Sequence, residues 1–238
     1  EEAARSGRAA LSSAERGEVR VPPLRVISVV WEGSVEDMGH GDRLPSQLEE
    51  LVFYESFNES IQEISWPRTL KNIVFGRDFD QRLAGMVWPP RLEVVRFGFF
   101  FNSSLRDARF PPTLKTIVFG WHFNQYLTGV RFPPTVRNIT FGFKFNKWVD
   151  PRRFPSGLET LTFGESFRQD VDVPNWPRGL KVLIFGRKFN SSLDNTDLPP
   201  GLRDLTFGDQ FDQPLERIAW PQALETLDLG GCPSAIEN

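Results

Sequence analysis

The sequence has very little cysteine, histidine and tyrosine: its 238 residues include 1 Cys, 2 His and 2 Tyr. A single cysteine, Cys232, can form neither an internal disulfide nor a cysteine-based metal cluster. Two histidines, His40 and His122, provide little for a zinc site or a histidine-based catalytic triad. No apolar run approaches the ~20 residues that a membrane-spanning helix needs, so no membrane partner is expected.

Targeting signals and cofactor motifs are also missing from the sequence. The chain starts with Glu1 and Glu2 and has no apolar segment behind a basic stretch, so no secretory signal peptide is expected. It lacks an initiator methionine, as expected of a trimmed chain, which leaves the compartment open with an intracellular location as the working expectation. No cofactor is expected. The net charge of −3 and the isoelectric point of about 5.6 make nucleic acid an unfavourable partner.

Phenylalanine, in contrast, is abundant, and a strict internal repeat accounts for most of it. The chain contains 22 Phe and 19 Gly, and Phe-Gly pairs recur every 22 residues. The template reads aromatic-Pro-x-x-Leu-x-x-Leu-x-Phe-Gly-x-x-Phe-Asn-x-x-Leu. The pairs begin at Phe75, Phe97, Phe119, Phe141, Phe163, Phe185 and Phe207, and Phe53-Tyr54 extends the series backwards.

The repeat divides the chain into four predicted parts. Residues 1–20 are expected to be a flexible segment or a short helix, and residues 21–43 a degenerate N-terminal capping coil that keeps the apolar register. Residues 44–230 form the repeat solenoid, with eight full 22-residue repeats and a partial ninth. Residues 231–238 form a C-terminal tail.

A strict period without insertions predicts a solenoid, because each unit is too small to bury its own apolar face and must stack on its neighbours. The Leu-x-Phe end of each unit alternates with period two, which predicts one short strand per unit. The glycine that follows suits a tight turn or a positive φ angle. The predicted fold is therefore mainly β, a right-handed parallel β-solenoid with degenerate caps. A series of antiparallel hairpins is the alternative, and a single strand signal per unit disfavours it.

Two columns of residues, each with members 22 apart, bear on this stacking. The charged column from Glu49 to Glu225 has opposite signs at six of its eight neighbour steps, which predicts ion pairs between adjacent strands. The Asn column from Asn58 to Asp212 is interpreted as a ladder of side chains that satisfies backbone groups at a turn. A glycan is the alternative interpretation, because the N-glycosylation pattern is matched by Asn58, Asn102, Asn138 and Asn190.

The template resembles the FNIP repeat, a variant of the leucine-rich repeat. The resemblance rests on Leu-x-x-Leu-x-Phe-Gly-x-x-Phe-Asn and covers roughly residues 44–230, with the best-matching unit at residues 205–215. The sequence departs from the pattern at Arg168, which stands in the Asn column. The resemblance implies a leucine-rich-repeat-like solenoid with a binding role, and it supplies no catalytic residues.

Aromatic residues outside the template are concentrated in repeats three to five. Phe99, Trp121 and Phe143, named the first stripe, share a column that elsewhere holds charged residues, so this column is expected to be exposed. Tyr126 and Trp148, named the second stripe, share another column. The candidate aromatic binding residues are therefore Phe99, Phe100, Trp121, His122, Tyr126, Phe143 and Trp148.

Basic charge is concentrated in the same repeats. Residues 91–153 carry 11 basic and 3 acidic side chains, a net charge of +8 in a chain whose total is −3. Arg109, Arg131 and Arg153, named the arginine column, lie on consecutive coils, where like charges repel unless a partner compensates them. Such a patch favours a protein partner with an acidic or apolar surface, with an acidic glycan as the alternative.

Three functions in different classes are consistent with this pattern. The predicted function is a non-enzymatic binding or scaffold module that contacts another protein through the aromatic and basic patch. The alternatives are a structural subunit of a larger assembly and an acidic-glycan-binding protein. Packing of the patch against a second copy or the N-terminal segment would explain the aromatics without a binding role. Catalysis is not expected, because no coil carries the loop insertion from which a solenoid builds an active-site cleft.

Overall fold

One parallel sheet runs through the described part of the chain. The computed structural model describes residues 28–36, 44–171, 176–194 and 196–230. Its sheet has ten strands in chain order, and each pairing joins residues 22 apart, such as Val95 with Ile117. The strands are β1 (Ser28–Trp31), β2 (Glu50–Phe53), β3 (Asn72–Val74), β4 (Val94–Arg96), β5 (Thr116–Val118), β6 (Asn138–Thr140), β7 (Thr160–Thr162), β8 (Val182–Ile184), β9 (Asp204–Thr206) and β10 (Thr226–Asp228). The predicted parallel β-solenoid is confirmed.

Helical structure is nearly absent from the described residues. A single 3-10 turn, Pro151–Arg153, follows Asp150, whose carboxylate accepts a hydrogen bond from the backbone N–H of Arg152. Across the described ranges, no helix has the length and apolar character that crossing a bilayer requires.

Several parts of the sequence-based division lie outside the described residues, namely 1–20, most of 21–43, and 231–238. The described strand of the capping coil, β1, pairs with β2 so that Val29 lies opposite Leu51 and Trp31 opposite Phe53. This is the register that the 22-residue offset predicts. The domain boundaries themselves stay predictions.

The core is built on two parallel ladders of phenylalanine rings. The rings of the first ladder, Phe53 to Phe207, stack with centroids 5.4–5.7 Å apart from coil to coil. Those of the second, Phe57 to Phe211, are 5.9–6.2 Å apart. All sixteen rings are buried. Since burying one such side chain contributes about 1.5–3 kcal/mol, the ladders supply a large part of the driving force for stacking.

The Phe-Gly glycines are required by the close approach of neighbouring coils. A β-carbon placed on Gly120 would overlap the carbonyl oxygen of Gly98, and the same overlap recurs along the column. Gly85 and Gly129, which have positive φ angles, lie elsewhere in the repeat, and among the described glycines of this column a positive φ angle occurs at Gly230 alone, in the last coil. The suggestion of a positive φ angle is therefore wrong for the Phe-Gly glycines, where close packing of backbone between coils is the reason for glycine.

The Asn column forms the predicted ladder. The Oδ1 atom of Asn102 accepts the backbone N–H of Asn124 at 2.8 Å, and Asn124 accepts that of Asn146 at 3.0 Å. Asp80 serves equally well, because its carboxylate accepts the N–H of Asn102 at 2.8 Å. The side chain of Arg168 has no oxygen, so the series is interrupted at that coil. Glycosylation at the four acceptor sites stays an alternative interpretation of the sequence that the structure does not test.

Ion pairs follow the charged column. Lys115 Nζ lies 2.9 Å from Glu93, and Lys181 Nζ lies 2.9 Å from Glu159. The hydrogen bond from Lys181 lowers the pKa of the Glu159 carboxyl. These pairs are solvent-exposed, so each adds little to stability, and their main effect is to favour one register.

Candidate functional site

The first stripe lies in the turn that follows each strand, where hydrogen bonds between coils fix the backbone. The carbonyl of Phe99 accepts the N–H of His122 at 2.9 Å, and the carbonyl of Trp121 accepts the N–H of Lys144 at 2.9 Å. One coil earlier, the N–H of Phe100 donates to the carbonyl of Arg77 at 2.9 Å. The turn therefore repeats with the same geometry, and equivalent side chains emerge one above the other.

The rings of the first stripe form a continuous stack. The centroids of Phe99 and Trp121 are 5.5 Å apart with planes inclined by 17°, and those of Trp121 and Phe143 are 4.0 Å apart and inclined by 2°. Phe99 and Trp121 are 39% and 42% exposed. Phe143 is only half-buried rather than exposed, because the indole of Trp121 covers one of its faces. The expectation of three exposed aromatics is thus met by two.

Phe100 and His122 widen this stack into a patch. Phe100 packs edge-on against Phe99 at 4.9 Å and against the imidazole of His122 at 4.9 Å. The guanidinium of Arg77 lies 5.7 Å from the centroid of Phe99 and 5.3 Å from that of Phe100, within range of a cation–π contact. Arg77 is not among the predicted site residues, although Arg77 occupies the same column as Phe99, one coil earlier.

The surroundings of His122 favour the neutral form of its imidazole. Desolvation among the aromatic rings and the nearby charge of Lys144 both lower its pKa below the ordinary value of 6.5. A neutral imidazole can donate one hydrogen bond and accept another, so His122 adds a polar group of both kinds to an otherwise apolar surface.

The second stripe borders a small cavity. Tyr126 and Trp148 are 62% and 51% exposed, and the ammonium of Lys147 lies 4.8 Å from the Tyr126 ring centroid. The cavity encloses about 50 Å³. Its lining consists of Tyr126, Leu127, Thr128, Val130, Phe132, Trp148, Val149, Asp150, Arg153 and Phe154.

The three residues of the arginine column are exposed, and its last member, Arg153, lines this cavity. The strand-like backbones of Arg109 and Arg131 pair directly in parallel. Asp150 binds Arg152 Nε at 2.9 Å, and this hydrogen bond lowers the pKa of the Asp150 carboxyl. Arg153 has only a longer contact of 3.8 Å to Asp150. Within the described ranges, no carboxylate pairs with Arg109 or Arg131.

The predicted site residues therefore form two clusters rather than one. Along each coil, the Asn ladder lies between the first stripe and the second, since Asn124 stands between Trp121 and Tyr126. The first cluster contains the first stripe with Phe100 and His122, and the second contains the second stripe with the arginine column. Lys147 and Asp150, which were not predicted, belong to the second cluster.

Comparison with known proteins assigns the chain to a family. The FNIP repeat model matches three consecutive stretches, residues 101–144, 145–188 and 189–232, which together cover more than half of the sequence. The chain belongs to the FNIP repeat family. Each matched stretch contains two coils of this FNIP repeat protein. The two clusters lie between residues 99 and 153, which takes in the first matched stretch and the start of the second.

A solved structure supports the same conclusion for the fold of the FNIP repeat protein. It is described as CroV588, a novel circular LRR protein, and it is similar over 79% of this chain with a TM-score of 0.60 and 28% sequence identity. The chain covers 34% of that protein's length. No curated protein matches the sequence significantly. The solenoid is therefore leucine-rich-repeat-like, an architecture consistent with a binding or scaffold role.

Proposed function

We propose that this FNIP repeat protein is a non-enzymatic protein-binding module whose contact surface is the aromatic and basic patch of repeats three to five, centred on the first stripe. The observation that carries the proposal is the fixed display of apolar rings. Phe99, Phe100 and Trp121 are each more than a third exposed, at positions where the repeat template requires no aromatic residue. Large aromatic side chains concentrate at the centres of protein interfaces and dominate their energetics.

The stacking of the rings favours a protein over a glycan as the partner of the first stripe. A sugar packs on an aromatic residue through the open face of the ring, and both faces of Trp121 are covered, by Phe99 at 5.5 Å and by Phe143 at 4.0 Å. The outer region of Phe99 is in turn occupied by the guanidinium of Arg77. The stripe therefore offers mainly ring edges, which suit apolar side chains and the electronegative atoms of a protein surface.

Charge supports an acidic partner surface around this apolar centre. Residues 91–153 carry a net charge of +8, whereas the whole chain carries −3, so positive charge is concentrated in the repeats that contain the patch. Opposite charges across an interface accelerate association and select the partner, and their effect is screened by salt. We expect binding to weaken as ionic strength rises, through a lower association rate.

The test is affinity capture with the purified chain as bait, followed by quantitative measurement of the recovered partner. Trp121→Ala should reduce recovery at least tenfold, since it removes the central ring of the stack. Trp220→Ala is the matched control, because Trp220 is 36% exposed and lies outside the patch. Equal recovery with the wild-type chain and Trp121→Ala would exclude the first stripe as the contact surface.

A second candidate function is that of a structural subunit, and the C-terminal end of the sheet favours it. All three side chains of β10 are exposed, Leu227 to 39%, and β10 is the last strand of the described sheet. Exposed strand edges are templates for further pairing. The similar structure is described as circular, and this chain covers 34% of its length, so a comparable closed arrangement would need more coils.

Light scattering across a range of concentrations separates the two candidates. A structural subunit should assemble with rising concentration, and Leu227→Glu should prevent assembly by placing a charge among the exposed side chains of β10. A chain that stays monomeric at the highest concentration, while it still captures its partner, supports the binding module alone.

A further inference from the structure

We propose that the cavity between Tyr126 and Trp148 anchors one aliphatic side chain of an extended acidic peptide segment, whose carboxylates pair with the arginine column. This inference rests on the proposed function, because it assigns the second cluster of the same patch to one class of protein partner. The two clusters lie on opposite sides of the Asn ladder, so they can be tested separately.

The size of the cavity selects the anchoring group. It encloses about 50 Å³, whereas an apolar cavity that binds benzene measures about 150 Å³. A pyranose or an aromatic side chain is therefore too large to enter. The end of a leucine, isoleucine or valine side chain fits, and the buried wall residues Leu127, Val130, Val149 and Phe154 offer it an apolar surface.

The rim of the cavity is suited to enclose an inserted side chain. Tyr126 and Trp148 stand on adjacent coils and are more than half exposed, so a segment lying across them would cover both rings. Lys147 packs over Tyr126 at 4.8 Å and restricts the position of that ring. Small desolvated pockets surrounded by large aromatic residues are typical of interface hot spots.

The charges beside the cavity define the rest of the ligand. Arg153 lines the cavity, and its neighbour Asp150 is engaged by Arg152 through two hydrogen bonds of 2.9 and 3.1 Å. Arg153 keeps only a 3.8 Å contact to that carboxylate, so its guanidinium is available. Arg131 and Arg109 continue the column on the two preceding coils without an acidic partner in the described part of the chain.

The spacing of the column fits an extended peptide. Adjacent coils lie ~4.8 Å apart, so the three arginines span ~10 Å, which an extended chain covers with about three residues at ~3.3 Å each. Two or three carboxylates next to one aliphatic residue would therefore satisfy the arginine column and fill the cavity together. Carboxylate–guanidinium pairs are among the stronger charge-assisted hydrogen bonds, and they would relieve the repulsion between the stacked arginines.

The experiment is selection of a random displayed peptide library on the full chain, followed by affinity measurement for the best enriched peptide. We expect a consensus with a cluster of Asp or Glu and a single Leu, Ile or Val. Replacement of that aliphatic residue by alanine should weaken binding at least tenfold. Trp148→Ala and Arg131→Gln should each have an effect of similar size.

Thr128→Phe provides a second test that does not remove a packed side chain. Thr128 is exposed and lines the cavity, so a larger residue there should block insertion and weaken binding at least tenfold while the fold is kept. Trp121→Ala should leave the affinity within twofold, because it alters only the first stripe. Circular dichroism and thermal unfolding of each variant confirm that the fold is unchanged.

Each remaining outcome overturns the inference in a recognisable way. No enrichment, or a consensus without acidic residues, rejects the peptide ligand. Loss of peptide binding in Trp121→Ala but not in Trp148→Ala or Thr128→Phe rejects the cavity and leaves the proposed function standing. A heparin-type oligosaccharide that binds the chain more tightly than any selected peptide, and loses affinity in Trp148→Ala, assigns the second cluster to an acidic glycan instead.

Discussion

Replacement of one repeat glycine should disturb the stacking of coils more than most single substitutions in the chain. A β-carbon on Gly120 would overlap the carbonyl oxygen of Gly98 in the preceding coil. The position of a β-carbon is fixed by the backbone of its own residue, and the carbonyl oxygen is a backbone atom, so no side-chain rotation can relieve the overlap. The two coils must separate at this corner.

The expected loss of unfolding free energy follows from the hydrogen bonds between coils at this corner. The N–H of His122 donates to the carbonyl of Phe99 at 2.9 Å, and the N–H of Phe97 donates to the carbonyl of Val118 at 2.8 Å. Losing both bonds costs about 1–3 kcal/mol. Overpacking adds about 1–3 kcal/mol. We therefore expect Gly120→Ala to lower the free energy of unfolding by about 2–6 kcal/mol.

Urea unfolding of Gly120→Ala, followed by circular dichroism and tryptophan fluorescence, measures this loss. The matched control is Gly201→Ala, because the nearest atom to a β-carbon there is the carbonyl oxygen of Arg178 at 3.9 Å and the φ angle of Gly201 is not positive. The control should change stability by at most about 1 kcal/mol, and in the stabilising direction. Equal midpoints for the two variants would refute the close-approach explanation.

The polar ladder and the neutral histidine give two further predictions. Asn124→Ala removes the acceptor of the Asn146 N–H and should cost about 1–3 kcal/mol in urea unfolding, whereas Asn124→Asp keeps the acceptor, as Asp80 does, and should cost less. The pKa of His122, measured by NMR titration, should lie below 6.5 and rise in Lys144→Gln. Because folding favours the neutral imidazole, His122 should leave the free energy of unfolding unchanged above pH 6.5. That free energy should fall as the pH drops below 6.5, where the unfolded chain binds a proton more readily than the folded one.

The features that the sequence predicts well are those that join equivalent positions of adjacent coils. The pairing of Val95 with Ile117, the hydrogen bond from Asn124 to Asn102 and the ion pair of Lys115 with Glu93 all connect residues 22 apart. In a solenoid with a constant period, such residues must be neighbours. The column therefore predicts the contact, and residue chemistry predicts its type.

The features that the sequence does not predict depend on side-chain torsion angles or on contacts between different columns. Trp121 leans towards Phe143 and away from Phe99, so its two neighbours in one column are covered unequally. Lys147 reaches Tyr126 in the adjoining column. The cavity beside Tyr126 is formed by ten side chains from different columns, and its volume depends on how far each one extends. The sequence pattern does not specify that conformation.

The ladders also determine how this molecule can change in length. Each one joins equivalent positions on successive coils, so duplication of a 22-residue unit would add one rung to every ladder and leave the others as they are. A duplication within repeats three to five would extend the proposed contact surface by one coil, about 4.8 Å. Duplication of whole units can therefore lengthen the solenoid and its surface in steps of one coil, while the core packing stays the same.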